Sequence, residues 1–217
     1  SINGLSHRKI HRYVHQGSFS NTGGIASAGN LFVTSLKEAG KKQRLFVWKV
    51  GRDTSGQPNS IKKIGSLTKA GRNQLIGRIA TNGKFVAIGI PGSTVNGLAS
   101  GSVTLLMIET NGTIKDLGSL TPPNAKAKMR FGSSVAFVKD ALLVGSSHEV
   151  TEQEGRGKIY AYYPKEDILP INPSSFYPIE SKTGETFGSF IAFSNNRIAV
   201  AAGNSVIYIY ELKFDGS

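Results

Sequence analysis

The chain carries one short pattern in four copies, and this repeat restricts its fold more than any other feature. Each copy contains an alanine, and a small residue stands nine positions further along. The alanines are Ala26, Ala80, Ala136 and Ala192, at intervals of 54, 56 and 56 residues; the small residues are Ser35, Gly89, Gly145 and Ala201. A fixed period of this length is typical of architectures built by repeating one supersecondary unit.

The clearest copy is residues 131–145, which predicts two short strands joined by a tight turn at Lys139-Asp140. A second copy occupies 187–201, a looser one 76–89 and a fainter one 23–35. Each ends in a continuous apolar run of strand length, as in strands that are buried on both faces. Phe131-Gly132 and the closing Gly145 are interpreted as packing positions, where one backbone approaches another.

Two further strands follow in each complete copy. The third strands are rich in β-branched and aromatic residues, which pack well on a pleated surface; they are predicted at 45–50, 102–108, 158–163 and 205–210. Fourth strands are predicted at 61–68 and 114–121, and within 168–179, where prolines suit an outer edge strand. The repeat therefore predicts an all-β chain of four-stranded antiparallel units of about 55 residues, the pattern of β-propeller blades.

The prediction for the whole chain is a single β-propeller domain over residues 1–217. Residues 9–15 alternate enough to predict an exposed strand, which would complete the last unit and close the ring. Closure would remove unpaired sheet edges. The alternative is that the four copies belong to a larger ring. The predicted parts are an outer strand in 1–17, blades at 18–69, 70–123 and 124–181, and a last blade of three strands at 182–217.

The repeat resembles the FG-GAP repeats of integrin-α-type propellers. Phe131-Gly132 and Phe187-Gly188 match the first half of the motif, Gly89-Ile90-Pro91 its Gly-Ala-Pro, and residues 157–162 its later part. The resemblance covers most of 18–213. It implies a protein-binding, carbohydrate-binding or adhesion module located outside the cell, at its surface or in the periplasm. Propellers of that family usually have seven blades, whereas four copies are present here. The larger ring of the alternative would therefore have seven blades.

Many members of that family bind calcium in loops with alternating aspartates. The corresponding loops here, 37–42, 93–98 and 148–154, lack the alternating carboxylates that a hard cation needs. We therefore expect no calcium site, no other metal site and no cofactor. The chain contains no cysteine, which excludes disulfides, thiolate metal sites and a cysteine nucleophile.

The net charge of +12 favours an anionic partner. In an antiparallel blade, the connections from the fourth to the next first strand and from the second to the third lie on one face of the disc. Basic residues are concentrated in these connections, which favours an anionic partner on that face. The alternative is that they form a simple solvated basic rim. The candidate partner-binding residues are Lys37, Lys41, Lys42, Arg44, Lys69, Arg72, Lys126, Lys128, Arg130, His148 and Arg156.

No catalytic constellation is apparent in the sequence. His148 lies near Glu149, Glu152 and Glu154, and this group is interpreted as one flexible surface loop. Near the propeller axis, the first strands and their preceding loops offer only Glu185, whereas glycoside hydrolysis uses two carboxylates. The longest apolar runs are of strand length, far below the roughly 20 residues of a membrane helix, so no transmembrane segment is expected. Ser1 begins no signal-like segment.

The sequence thus favours a non-enzymatic recognition module that binds a protein or an acidic glycan through its basic face. Two alternatives stay open. One is a polysaccharide-degrading enzyme, or the propeller domain of one, that uses the axial pocket. The other is a structural subunit of a large assembly in contact with RNA or acidic proteins. Nucleic acid and further protein chains are additional candidate partners because of the charge.

Overall fold

The computed structural model describes residues 19–38, 42–70, 78–150, 156–176, 185–203 and 206–212. Within these ranges the chain forms fifteen β-strands and no helix. The strands are β1 Phe19–Ala28, β2 Leu31–Glu38, β3 Lys42–Arg52, β4 Pro58–Ala70, β5 Arg78–Thr81, β6 Phe85–Ile90, β7 Ser102–Ile108, β8 Ile114–Leu120, β9 Phe131–Val138, β10 Ala141–Val150, β11 Arg156–Tyr162, β12 Ser174–Phe176, β13 Phe187–Ser194, β14 Arg197–Ala202 and β15 Val206–Glu211.

The strands form four antiparallel sheets, and each sheet follows the order of the chain. Sheet I contains β1 to β4, sheet II β5 to β8, sheet III β9 to β12, and sheet IV β13 to β15. The predicted all-β repeat of antiparallel units is confirmed, and it is consistent with a propeller-like arrangement. The turn at Lys139-Asp140 joins β9 to β10, with Lys139 at a φ of 53°. The strand predicted at 9–15 lies outside the described residues.

The sheets pack on one another in chain order through three apolar cores. One core joins sheets I and II, a second joins II and III, and a third joins III and IV. The first strands are neighbours, since β1 contacts β5, β5 contacts β9, and β9 contacts β13. Strand β7 is buried on both faces along its whole length. Val103 and Leu105 face sheet III while Leu106 faces sheet I, so both faces of the strand are buried.

The glycines of the repeat allow neighbouring sheets to meet backbone to backbone. A Cβ on Gly89 would overlap the carbonyl oxygen of Gly132, and a Cβ on Gly145 would overlap that of Gly188. The same contact therefore recurs between sheets II and III and between sheets III and IV. Gly132 and Gly188 themselves have φ values of 84° and 85°, and a Cβ on Gly132 would lie 2.6 Å from the Ser102 carbonyl oxygen, so the phenylalanine-glycine pair requires its glycine.

A second pair of glycines supports each of these two junctions. A Cβ on Gly101 would overlap the backbone of Phe131, and one on Gly157 would overlap the backbone of Phe187. Both phenylalanines are completely buried. The junctions are thus fixed on one side by glycine and on the other by a buried aromatic ring. No helix in the described ranges is long and apolar enough to cross a membrane.

Candidate functional site

The register of sheet I places several predicted basic positions at one end of that sheet. Lys37 pairs with Gln43, which in turn pairs with Lys69, and Lys42 lies next to them along β3. Arg44 follows two residues further along β3 and is partly buried. Arg156 begins β11 in sheet III. Lys41 and Arg72 lie outside the described residues.

The remaining predicted positions lie around the connection from β8 to β9 and the end of β10. Lys126, Lys128 and Arg130 are exposed in that connection. Its conformation is tied to sheet III through Met129, which is 3% exposed. The Met129 carbonyl accepts a hydrogen bond from the His148 backbone N–H at 3.0 Å. This bond brings the basic connection next to His148.

A pocket of about 370 Å³ opens beside this connection, between sheets II, III and IV. Its basic lining residues are Arg78, Arg130 and His148, and none of the described lining residues is acidic. Two predicted residues, Arg130 and His148, are therefore brought together, while Arg78 was not predicted. Arg44, Lys126 and Lys128, whose side chains are described, are not among the lining residues.

The pocket is lined by positions that correspond across the repeat. Pro91, Ser147 and Gly203 stand at intervals of 56 residues and all line it, as do Ser133 and Ser189. Arg78 and Phe190 occupy one repeat position, two residues before the alanine of their copies. The sequence signal that could have identified this site was therefore the repeat alignment itself, followed through the first strands.

Arg78 connects the two far sides of the pocket. It begins β5, and its guanidinium carbon lies 4.0 Å from the ring centroid of Phe190 on β13. A guanidinium over an aromatic face is attracted by the ring quadrupole, and stacking leaves its N–H groups directed outward in the guanidinium plane. Phe190 thus supports Arg78 at the pocket wall, although Phe190 as a residue is 53% exposed.

Most pocket hydroxyls are held by bonds within the protein. The Ser133 hydroxyl lies 3.1 Å from the carbonyl oxygens of both Gly145 and Gly188. The Ser189 hydroxyl donates to the Thr186 carbonyl at 2.5 Å, and Thr186 Oγ1 accepts a bond from a backbone N–H of sheet IV. Because the Ser133 and Ser189 hydroxyls donate to these carbonyls, each hydroxyl oxygen keeps lone pairs that can accept a hydrogen bond.

The interpretation of His148 and Glu149 as part of a surface loop is wrong, because both belong to β10. The pairing of β10 with β11 is irregular between Ser146 and Val150, so the side chains of this stretch do not alternate strictly between the two faces. His148 lines the pocket, with Nδ1 3.0 Å from the Ser147 hydroxyl oxygen. Glu149 is buried, at 7% exposure. Glu152 and Glu154 lie outside the described residues.

The buried Glu149 carboxylate is bound by two neighbours on β11. The Tyr160 hydroxyl donates to its two oxygens at 2.7 and 2.8 Å, and Lys158 Nζ lies 3.3 Å from one of them. Burial, with the bond to Glu149 and its charge, raises the pKa of Tyr160 far above the usual tyrosine value. Burial also raises the pKa of Tyr162. Within the described residues, no group of three or more His, Asp or Glu is arranged to bind a metal ion.

The aromatic residues of the third strands pack between sheets. Phe131 makes edge-to-face contacts with Tyr160 and Tyr162, at centroid distances of 5.5 and 6.3 Å. Phe187 makes the same contacts with Tyr208 and Tyr210 at 5.6 and 6.3 Å. Such pairs stabilise beyond the area they bury, so these rings contribute to the cores between sheets rather than to the pocket.

Comparison with known proteins identifies one repeat unit. Residues 115–162, from β8 to the end of β11, match the family model described as the FG-GAP repeat, so the resemblance seen in the sequence is confirmed. Among solved structures, the crystal structure of the computationally designed Ika4 protein is similar over 96% of this chain and 100% of its own, at 13% identity and a TM-score of 0.47. No curated protein matches the chain.

Proposed function

We propose that this protein is a non-enzymatic recognition module in which the four sheets act as propeller blades and present a basic face to an acidic glycan or protein. The FG-GAP repeat supports an interaction or adhesion role for the module. FG-GAP repeats are typical of extracellular and surface proteins, and we propose that location here. The observation that carries the proposal is the pocket, whose basic lining residues come from two different sheets.

The distribution of carboxylates supports binding rather than hydrolysis. Glycosidases place a pair of carboxyl groups on either side of the scissile bond. Of the described acids of sheets III and IV, Glu149 is buried and bound by Tyr160. Glu185 accepts a hydrogen bond from the Tyr208 hydroxyl at 2.8 Å. Neither is among the described lining residues.

The blade count and the closure of the ring belong to the same proposal. We propose that the four sheets are blades of a propeller, whose last blade would be completed by the strand predicted within residues 1–17 if four blades close the ring. A larger ring is the alternative, and the exposure of Ile207 and Ile209 on the outer face of sheet IV favours it. Hydrodynamic radius and native mass would test closure. A closed four-bladed ring should be a compact monomer, because the outer faces of sheets I and IV would pack on each other and only short outer edges would remain. Self-association that depends on protein concentration would contradict a closed four-bladed ring.

Retention on a heparin column, compared with a glycan array at rising salt, tests the binding function. We expect retention at low ionic strength that weakens as salt increases, because screening shortens the range of the attraction between exposed charges. Acidic glycans should bind and neutral ones should not. Salt-resistant binding of a neutral glycan, or no retention of the protein at low salt, would contradict the proposed basic face.

A further inference from the structure

We propose that the pocket between sheets II, III and IV is a specific site for one acidic sugar unit, with the oxyanion of the sugar bound by Arg78 and Arg130. This inference rests on the proposed function and adds to it a defined site and a ligand class. It distinguishes one residue-specific pocket from a basic face that attracts polyanions over its whole area.

The charge of the pocket selects an anion. Two guanidinium groups line it, and none of its described lining residues is acidic. Guanidinium donates paired N–H bonds that match the oxygens of a carboxylate or a sulfate, and such charge-assisted bonds are about twice as strong as neutral ones. An imidazole at the same wall adds a donor or an acceptor, according to its protonation state. The site therefore favours a ligand with one oxyanion.

The two arginines are held by different structural devices. Arg78 is supported by the ring of Phe190 at 4.0 Å. Arg130 has a φ of 56° and directly precedes Phe131, whose side chain is completely buried. The connection that carries Arg130 is tied to β10 through the Met129 carbonyl. A site that is already ordered pays a smaller entropic cost on binding.

The rest of the lining favours a sugar over an acidic peptide. The volume of about 370 Å³ falls within the usual range of small-molecule sites. Ser133 and Ser189 donate their hydroxyl hydrogens to backbone carbonyls, which leaves lone pairs as acceptors. An acidic sugar carries hydroxyl donors on the ring carbons close to its oxyanion, whereas an acidic peptide has only backbone N–H donors, which lie farther from its carboxylates. An acidic sugar thus matches both the arginines and the serine hydroxyls of the lining.

Calorimetric titration of the full chain with small probes tests the site. The probes are a disaccharide with one unsulfated uronic acid, a neutral disaccharide with one sulfate, and the corresponding uncharged disaccharide. We expect binding of at least one acidic probe and none of the uncharged one. The first two probes also show which oxyanion the arginines prefer. Binding of the uncharged disaccharide with equal affinity, or no binding of either acidic probe, would overturn the proposal.

Charge-matched variants separate the pocket from the general basic charge. Arg130→Gln removes an exposed guanidinium from the lining, and Lys62→Gln removes one positive charge from an exposed position on β4. We expect Arg130→Gln to weaken binding of the acidic probe about 10-fold or more, as for loss of a charge-assisted bond. Lys62→Gln should change it less than about twofold. Equal losses in the two variants would overturn the site.

Arg78→Gln is the second test, with its melting temperature recorded because the variant also loses the contact with Phe190. A folded Arg78→Gln protein that binds the probe as tightly as the wild type would overturn the role of Arg78. Heparin retention distinguishes the general basic face from the sugar site. Retention that survives while the probes fail leaves the basic face standing and removes the sugar site. Loss of retention by the wild-type protein removes both.

Discussion

The junction between sheets III and IV and the outer face of sheet IV are built from corresponding positions of the repeat, yet only the junction is buried. Ile159 on β11 is completely buried between sheets III and IV. Its counterpart on β15, Ile207, is 68% exposed, and Ile209 on the same face is 70% exposed. Burial along β15 therefore alternates between an exposed face and a partly buried face, although the sequence is apolar on both.

A glycine in the second strands of sheets II and III accounts for part of this difference. Gly145 lies against the carbonyl oxygen of Gly188, a contact that leaves no room for a side chain. The corresponding residue of sheet IV is Ala201, which carries the Cβ that Gly145 lacks. A neighbouring sheet could not approach Ala201 in the way that sheet IV approaches Gly145. The glycine thus permits the backbone contact at two junctions, whereas Ser35 holds the same position in sheet I, which packs on sheet II without that glycine.

The largest effect is expected for Gly145→Ala. Its Cβ would overlap two neighbours, the Gly188 carbonyl and the Ser134 hydroxyl, which itself donates to that carbonyl at 2.6 Å. We expect the free energy of unfolding to fall by about 4 kcal/mol or more, the upper range for single substitutions. Urea unfolding measures it. The matched change Ala201→Gly should cost only about 0.5–1 kcal/mol through backbone entropy. Equal costs at the two positions would refute the proposed role of the glycine.

The next effect concerns the tyrosine of the third strand. Tyr160→Phe leaves the buried Glu149 carboxylate without its hydroxyl donor, and we expect a loss of about 1–3 kcal/mol in the same assay. The corresponding Tyr208→Phe removes a bond to Glu185, which is less buried and can be hydrated in its place. Its cost should be smaller, about 0.5–1.5 kcal/mol. A larger loss for Tyr208→Phe would reverse the expected order.

Alkaline pH should lower the stability of the folded protein, because tyrosines ionise more readily in the unfolded chain than at these buried positions. The folded-state pKa of Tyr160 is raised, mainly by burial, so its contribution is fully present below the unfolded tyrosine pKa of about 10 and is lost as pH rises above it. We expect the unfolding free energy to fall between about pH 10 and 11, by at most about 1.4 kcal/mol per pH unit for each tyrosine. Tyr160→Phe should show a shallower decline, and an identical slope in the two proteins would count against this assignment.

The repeat made the strands and sheet order predictable, but it left the pocket largely hidden. Strand β7 matches its predicted bounds, and its apolar residues are buried on both faces. The burial of Glu149 depends on Tyr160, eleven residues away, and only the pairing of β10 with β11 brings them together. Arg78 and Phe190 share a repeat position but no chemistry, so no sequence motif marks them. Only the stacking of sheets reveals their contact.

The smallest effect is expected on the exposed face of sheet IV, where Ile207→Thr keeps the β-branched shape that a strand prefers. Ile207 contributes little buried area, so the unfolding free energy should change by no more than about 0.5 kcal/mol. Ile159→Thr, its counterpart in the junction, places an unpaired hydroxyl among buried apolar groups and should cost about 2 kcal/mol or more. If Ile207→Thr were as costly, its face would be covered in solution, and the contrast between the two regions would fail.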